Sequence, residues 1–199
     1  QYVLEGNINY TGAVITWMQK QLHLIADPAE TEELARKANA EDTTYMVPAF
    51  TGLGAPYWKS QATALITGMT RLTGKAELVK AGLTSITYQI RDVVAAMNQA
   101  VKPLGSEGIS VIRADGGPTR NQYLMQFQAD ILGFPVEVPQ AEELSGIGAA
   151  YMAGIGLGFY EEKDLFAEKD RKIYIPQMDS EEREKCLDGW KKAIERTML

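Results

Sequence analysis

Ile112-Arg113-Ala114-Asp115-Gly116-Gly117-Pro118-Thr119-Arg120-Asn121 joins a short apolar stretch to an amphipathic one through two glycines. The pattern is a strand running into a helix, the corner from which layered α/β folds are built. Glycine has no Cβ, so another molecule can approach the backbone, and the first amides of a helix are unpaired donors at the positive end of its dipole. Pro118 fits the first helical turn, where a missing N–H costs little. Such a turn can hold a nucleotide, and it serves equally as a structural corner with no ligand.

Working outward, the spacing predicts a helix from Asn121 to Leu132, a strand from Phe134 to Val138 and a helix from Ser145 to Gly156. Gly146, Gly148, Ala149, Ala150, Ala153, Gly154 and Gly156 give that last helix a low-bulk surface, which would let it lie close to a neighbour and brace the glycine turn from behind. Upstream, Ile109 to Ala114 is a strand. From Lys75 to about Val101, Val79, Leu83, Ile86, Ile90, Val93 and Met97 form one apolar stripe, the mark of a long amphipathic helix. Tyr45 to Phe50 and Ala64 to Thr67 read as strands, and Ala29 to Ala38 as a short charged helix. Val14, Trp17, Met18, Leu22 and Ile25 predict a helix from Gly12 to Ile25, broken by Asp27-Pro28. Tyr2 to Glu5 reads as a strand, and Ser180 to Met198 as a closing helix with Ser180 as a partial cap.

Val47-Pro48-Ala49-Phe50-Thr51-Gly52-Leu53-Gly54-Ala55-Pro56-Tyr57-Trp58 holds too much Gly and Pro for a helix and too much aromatic surface for a free linker. An ordered loop pinned to its own domain is expected. The chain of 199 residues fits one domain, burying roughly 70% of its unfolded surface. Twenty Lys and Arg against 26 Asp and Glu give a net charge of −6 with no basic block, which argues against nucleic acid and against an anionic membrane surface. The single Cys186 excludes an internal disulfide, and the single His23 has no partner for a metal site or a Ser-His-Asp triad. Gly146 to Tyr160 is apolar but shorter than the ~20 residues a membrane-spanning helix needs. No signal peptide is recognisable at the start.

The aromatic loop and the Asp-Gly-Gly turn together resemble the glycerol kinase family, carbohydrate kinases on the actin and hexokinase type of fold. The likeness extends through Tyr2-Val3-Leu4-Glu5-Gly6, Thr11-Gly12-Ala13 to Trp17, the run Leu124 to Gly133, and Gly148-Ala149-Ala150-Tyr151-Met152-Ala153-Gly154. What the resemblance implies is an α/β, ribonuclease H-like ATPase domain with a mixed sheet flanked by helices, lacking its first strands. Residues 1–199 would be the C-terminal nucleotide-binding domain of a two-domain kinase, with 160–199 a peripheral helical tail. The N-terminal domain would supply the phosphate and magnesium motifs, most polyol contacts and the general-base aspartate, so no catalytic residue and no metal ligand is expected in this chain.

By the same resemblance, Gly12, Thr16, Gly116, Gly117 and Asn121 are the nucleotide-binding residues, Gly12 toward the phosphates and Asn121 toward the adenosine. For Asn121 a helix cap is the competing role. The cofactors implied are ATP and Mg2+, the latter held mostly by the absent domain. The partners are that domain and glycerol or a related polyol, in a cytoplasmic homo-oligomer. The implied reaction is transfer of the ATP γ-phosphate to glycerol, with this chain inactive by itself. Lys59, Thr63 and Thr84 depart from the family pattern, which keeps two alternatives open: a kinase for another polyol or ketosugar, and a non-catalytic nucleotide-binding paralogue. An open strand edge at Gln1 to Leu4 would favour self-association or leave a disordered N-terminus.

Overall fold

Lys75–Val101 make a single helix of 27 residues, about 40 Å long at 1.5 Å per residue, around which the other elements gather. The computed structural model describes residues 3–105, 107–140, 144–161 and 171–199. Along them run α1 (Gly12–Lys20), α2 (Glu30–Lys37), β1 (Tyr45–Val47), β2 (Leu65–Thr67), α3 (Lys75–Val101), β3 (Ile112–Arg113), α4 (Gln122–Leu132), β4 (Val136–Pro139), α5 (Leu144–Gly156), β5 (Arg171–Tyr174) and α6 (Ser180–Thr197), with 3₁₀ turns at Lys102–Leu104 and Gly117–Arg120.

At the start of α3 the Glu77 carboxylate accepts from the Gly74 amide at 2.8 Å and, from across the fold, the Asn39 amide at 2.9 Å. Every residue from Ala81 to Tyr88 is buried, so the single apolar stripe expected there widens to the whole circumference. Small side chains permit this: a Cβ on Gly82 would stand 2.6 Å from Met18 Sδ, so α1 lies tight against the helix. The interior hydroxyls of Thr84 and Ser85 donate to carbonyls of their own helix, Lys80 at 2.9 Å and Gly82 at 2.7 Å, and thus need no foreign partner.

β1 and β2 pair antiparallel, with Met46 opposite Ile66. The second sheet is mixed, in the order β3-β4-β5: Ile112 lies parallel to Val136 through the α4 crossover, and Tyr174 lies antiparallel to Val136. One core cluster gathers Val14, Met46, Leu83, Ile86, Leu124 and Val136. Another gathers Val47, Tyr88, Ile131, Trp190 and Ile194, with the Tyr88 and Trp190 rings stacked 5.1 Å apart. α3 contributes to both.

Several boundaries differ from expectation. α1 stops at Lys20 instead of Ile25, because His23 takes a left-handed φ of +52° and the Leu24 amide turns back to the Met18 carbonyl. Val3–Glu5 form no strand, since no described segment pairs with them, and Tyr2 lies outside the described residues. The cap of α6 is Asp179, whose carboxylate takes the Glu182 amide at 2.8 Å, one residue before the Ser180 expected. β5 was not anticipated. With Tyr174 and Trp190 buried, the described part of the tail expected as peripheral belongs to the core.

The low-bulk face of α5 also differs. A Cβ on Gly146, Gly148 or Gly156 would meet nothing within 4 Å, and of the described helix only Gly154 is buried. The contact of α5 with the glycine turn is made at its start instead, where the Leu144 amide donates to the Asp115 carboxylate at 3.2 Å. Met152, Leu157 and Phe159 are exposed by 67%, 70% and 76%, an apolar face of the kind that drives association. The chain by itself is therefore expected to sediment as dimers or larger species, and Met152→Lys with Leu157→Lys to shift it toward monomer. Sedimentation velocity showing only monomer for the unmodified chain would refute this.

Candidate functional site

A cavity of about 470 Å³ opens between the N-terminus of α1, the turn into α2, the middle of α3 and the start of α4. Its floor is mostly apolar, formed by Ile15, Leu83, Ile86 and Leu124 with the buried Thr31, and its rim is polar, formed by Thr16, Asp27, Glu32, Arg120 and Asn121. An apolar floor with a few convergent polar groups suits a flat heterocycle bearing polar edges.

Of the residues expected at a nucleotide, Gly12, Thr16, Gly117 and Asn121 line this one cavity, while Gly116 does not. Gly116 instead makes the turn: its φ of +95° belongs to glycine, and its carbonyl accepts the Thr119 hydroxyl at 2.7 Å. Neither Gly12 nor Gly117 has an atom within 4 Å of the place a Cβ would fill, so both leave open backbone on the cavity. The Thr16 hydroxyl donates to the Gly12 carbonyl at 3.3 Å. Asn121 acts as the cap of α4, Oδ1 accepting from the Leu124 amide at 2.9 Å, and its Nδ2 donates to the Thr31 hydroxyl at 3.0 Å. A carboxamide has a second proton and a second lone pair, so the cap role leaves capacity toward the cavity.

Sequence reasoning anticipated the helix α2 but not its place at the cavity. Thr31 and Glu32 sit in a charged octapeptide with no local sign of a site, and only the tertiary fold brings them to Asn121 and Gln122. The departures at Lys59, Thr63 and Thr84 line no part of this cavity. Lys59 pairs its backbone with Leu53 at 2.8 and 2.9 Å, and Thr63 is exposed.

The aromatic loop is pinned as expected, from beneath. Tyr57 Oη donates to Asp92 Oδ2 at 2.7 Å, and Trp190 Nε1 donates to the same oxygen at 2.6 Å. Burial first, and then the Asp92 charge, push the Tyr57 phenol far above its ordinary range, so it remains a donor. Phe50 rests on Tyr10 at 5.1 Å and on Trp17 at 4.8 Å, while Trp58 is 76% exposed. α1 therefore stands between the cavity, through Thr16, and the loop, through Trp17.

Cys186 is half-buried, and burial raises its thiol pKa, which favours the unreactive form. Among the described residues no group of three or more His, Cys, Asp or Glu side chains could hold a metal ion, and no helix is long and apolar enough to cross a membrane.

A mixed sheet flanked by helices, with a glycine turn and a capped helix closing on an apolar cavity, places the chain among layered α/β domains, and residues 1–157 match the FGGY family of carbohydrate kinases, C-terminal domain. The chain belongs to that family. It is 44% identical to the glycerol kinase of Caldanaerobacter subterraneus, over 100% of this chain and 39% of that protein. It is 45% identical to glycerol kinase 2 of Thermotoga maritima, over 99% of this chain and 39% of that protein. It thus spans about two fifths of the length of these curated relatives. Among solved structures, Plasmodium falciparum glycerol kinase with ADP matches with a TM-score of 0.82 and 35% identity, over 94% of this chain and 37% of that one. A ligand-bound xylulose kinase from Lactobacillus acidophilus, 23% identical with a TM-score of 0.72 over 93% of this chain and 37% of that one, shares the fold.

Proposed function

We propose that the protein containing this chain transfers the γ-phosphoryl group of ATP to a hydroxyl of glycerol, and that this domain holds the nucleotide. The observation that carries the reading is the convergence of Gly12, Thr16, Gly117 and Asn121 on one cavity with an apolar floor. The identity to glycerol kinases over the whole chain supports glycerol as the acceptor.

Phosphoryl transfer depends chiefly on holding donor and acceptor in line and on stabilising charge. The backbone at Gly12 would receive phosphate oxygens, and Gly117 with the Asn121 carboxamide would meet the adenosine. The rest of the longer protein would bring the acceptor, the general base and the carboxylates for Mg2+, in a cytoplasmic enzyme.

Two measurements test this. The chain alone is expected to show no phosphoryl transfer to glycerol, whereas the chain joined to the remainder of its protein should regain a rate enhancement of at least ~10⁶. Titration of the chain with ADP should perturb Gly12, Gly117 and Asn121, and Asn121→Ala should weaken binding about tenfold through loss of one charge-free hydrogen bond and the α4 cap. Perturbation confined to residues after Phe159 would overturn the assignment.

A further inference from the structure

Two residues of α2 hydrogen-bond to the start of α4. Thr31 is only 2% exposed, and its hydroxyl donates to the Pro28 carbonyl at 2.6 Å while accepting from Asn121 Nδ2 at 3.0 Å. With Oδ1 of Asn121 held by the Leu124 amide, the direction in which the carboxamide faces is fixed at both of its ends. One residue on, Glu32 sets Oε2 2.8 Å from the amide of Gln122, the first residue of α4, and Oε1 2.8 Å from the Arg36 guanidinium. Partial burial opposes its ionisation, yet the bonds from Arg36 and the Gln122 amide hold its carboxyl below the ordinary carboxylate value.

With the Gln122 amide already bonded to a carboxylate, the start of α4 offers phosphate one donor fewer. The α1 end of the cavity has no such cover: α1 begins at Gly12 without a side-chain cap, and the backbone at Gly12 is open.

We infer that Thr31 and Glu32 are positioning residues that give the cavity its polarity, Thr31 by fixing the Asn121 carboxamide and Glu32 by denying the α4 end to anions. The nucleoside then enters at the α2 and α4 end, with its phosphates directed to Gly12. This rests on the nucleotide reading above and adds the residues that enforce the orientation.

The test titrates the chain with adenosine and with ADP, and measures tripolyphosphate as a competitor of ADP. Thr31→Val keeps the side-chain shape and removes the hydroxyl; it should weaken adenosine and ADP alike, about tenfold, and Thr31→Ser should restore both to within about twofold. Glu32→Gln keeps an acceptor for the Gln122 amide and removes the charge. Tripolyphosphate should then compete about threefold to tenfold better, with adenosine affinity changed less than about twofold. Adenosine binding to Thr31→Val as to the unmodified chain, or unchanged tripolyphosphate competition in Glu32→Gln, would overturn the proposal. Failure of the unmodified chain to bind adenosine and ADP would instead reject the nucleotide site, and this inference with it. Should Thr31→Val fail to melt cooperatively, Glu32→Gln on the cavity rim carries the test by itself.

Discussion

Asp92→Ala should lower the thermal midpoint by about 6–20 °C. The carboxylate is 8% exposed and receives two short bonds from side chains far away in sequence, Tyr57 at 2.7 Å and Trp190 at 2.6 Å. Removing it strands a phenol and an indole N–H in the interior, each costing about 1–3 kcal/mol, and loses charge-assisted bonds stronger than neutral ones. A total of about 3–5 kcal/mol, at 2–4 °C per kcal/mol for a chain of this size, gives the stated range. Asp92→Asn keeps an acceptor and should cost less than half as much. Tyr57→Phe should cost about 1–2 kcal/mol and be strongly non-additive with Asp92→Ala in a double-mutant cycle, because each removes the same bond. A midpoint for Asp92→Ala within 2 °C of the unmodified protein, measured by calorimetry as a threshold well under the ~6 °C expected, would show that the buried bonds contribute little.

Gly189→Ala should destabilise the protein against the direction set by helix propensity. In an exposed helix interior the change would gain about 1 kcal/mol. Here a Cβ at position 189 would collide with the hydroxyl end of Tyr45, 2.6 Å from Cε2 and closer still to the hydroxyl oxygen. Tyr45 has little room to yield: its ring leans on Tyr88 at 5.7 Å, and its hydroxyl donates to the Cys186 carbonyl at 3.2 Å. Overpacking of this kind costs about 1–3 kcal/mol beyond the propensity gain, so a net loss is expected in urea unfolding. Tyr45→Phe removes the atom nearest the new methyl and should recover part of the loss. An alanine variant as stable as the unmodified chain would show that β1 and α6 can separate without cost.

The long helix α3 was legible to the residue, because a stripe repeated over many turns outweighs local noise, and so were α4 and α5 to within one residue. What sequence spacing could not show was burial on every side of α3. Ala81, Gly82, Thr84 and Ser85 look neutral in a one-dimensional pattern and become interior only when α1, α2, α4 and β1 close around them. β5 escaped notice because Arg171-Lys172-Ile173-Tyr174 has two basic residues and gains its place only through the β4 ladder, where Arg171 and Arg113 share the Glu137 carboxylate. At the cavity, Gly12, Thr16, Gly117 and Asn121 were identifiable by resemblance. Thr31 and Glu32 were not, since their task exists only ninety residues away in sequence, at Asn121 and Gln122.

The indole of Trp190 also sets an order of events during synthesis. The Asp92 carboxylate and the Tyr88 ring leave the ribosome about a hundred residues before the group that covers them. Until then the nascent chain carries an acid beneath an apolar face with one donor missing, so the second core cluster stays open to solvent and to chaperones. Completion must wait until α6 has emerged, and a chain ending before Trp190 would leave the Tyr88 and Asp92 side of α3 uncovered.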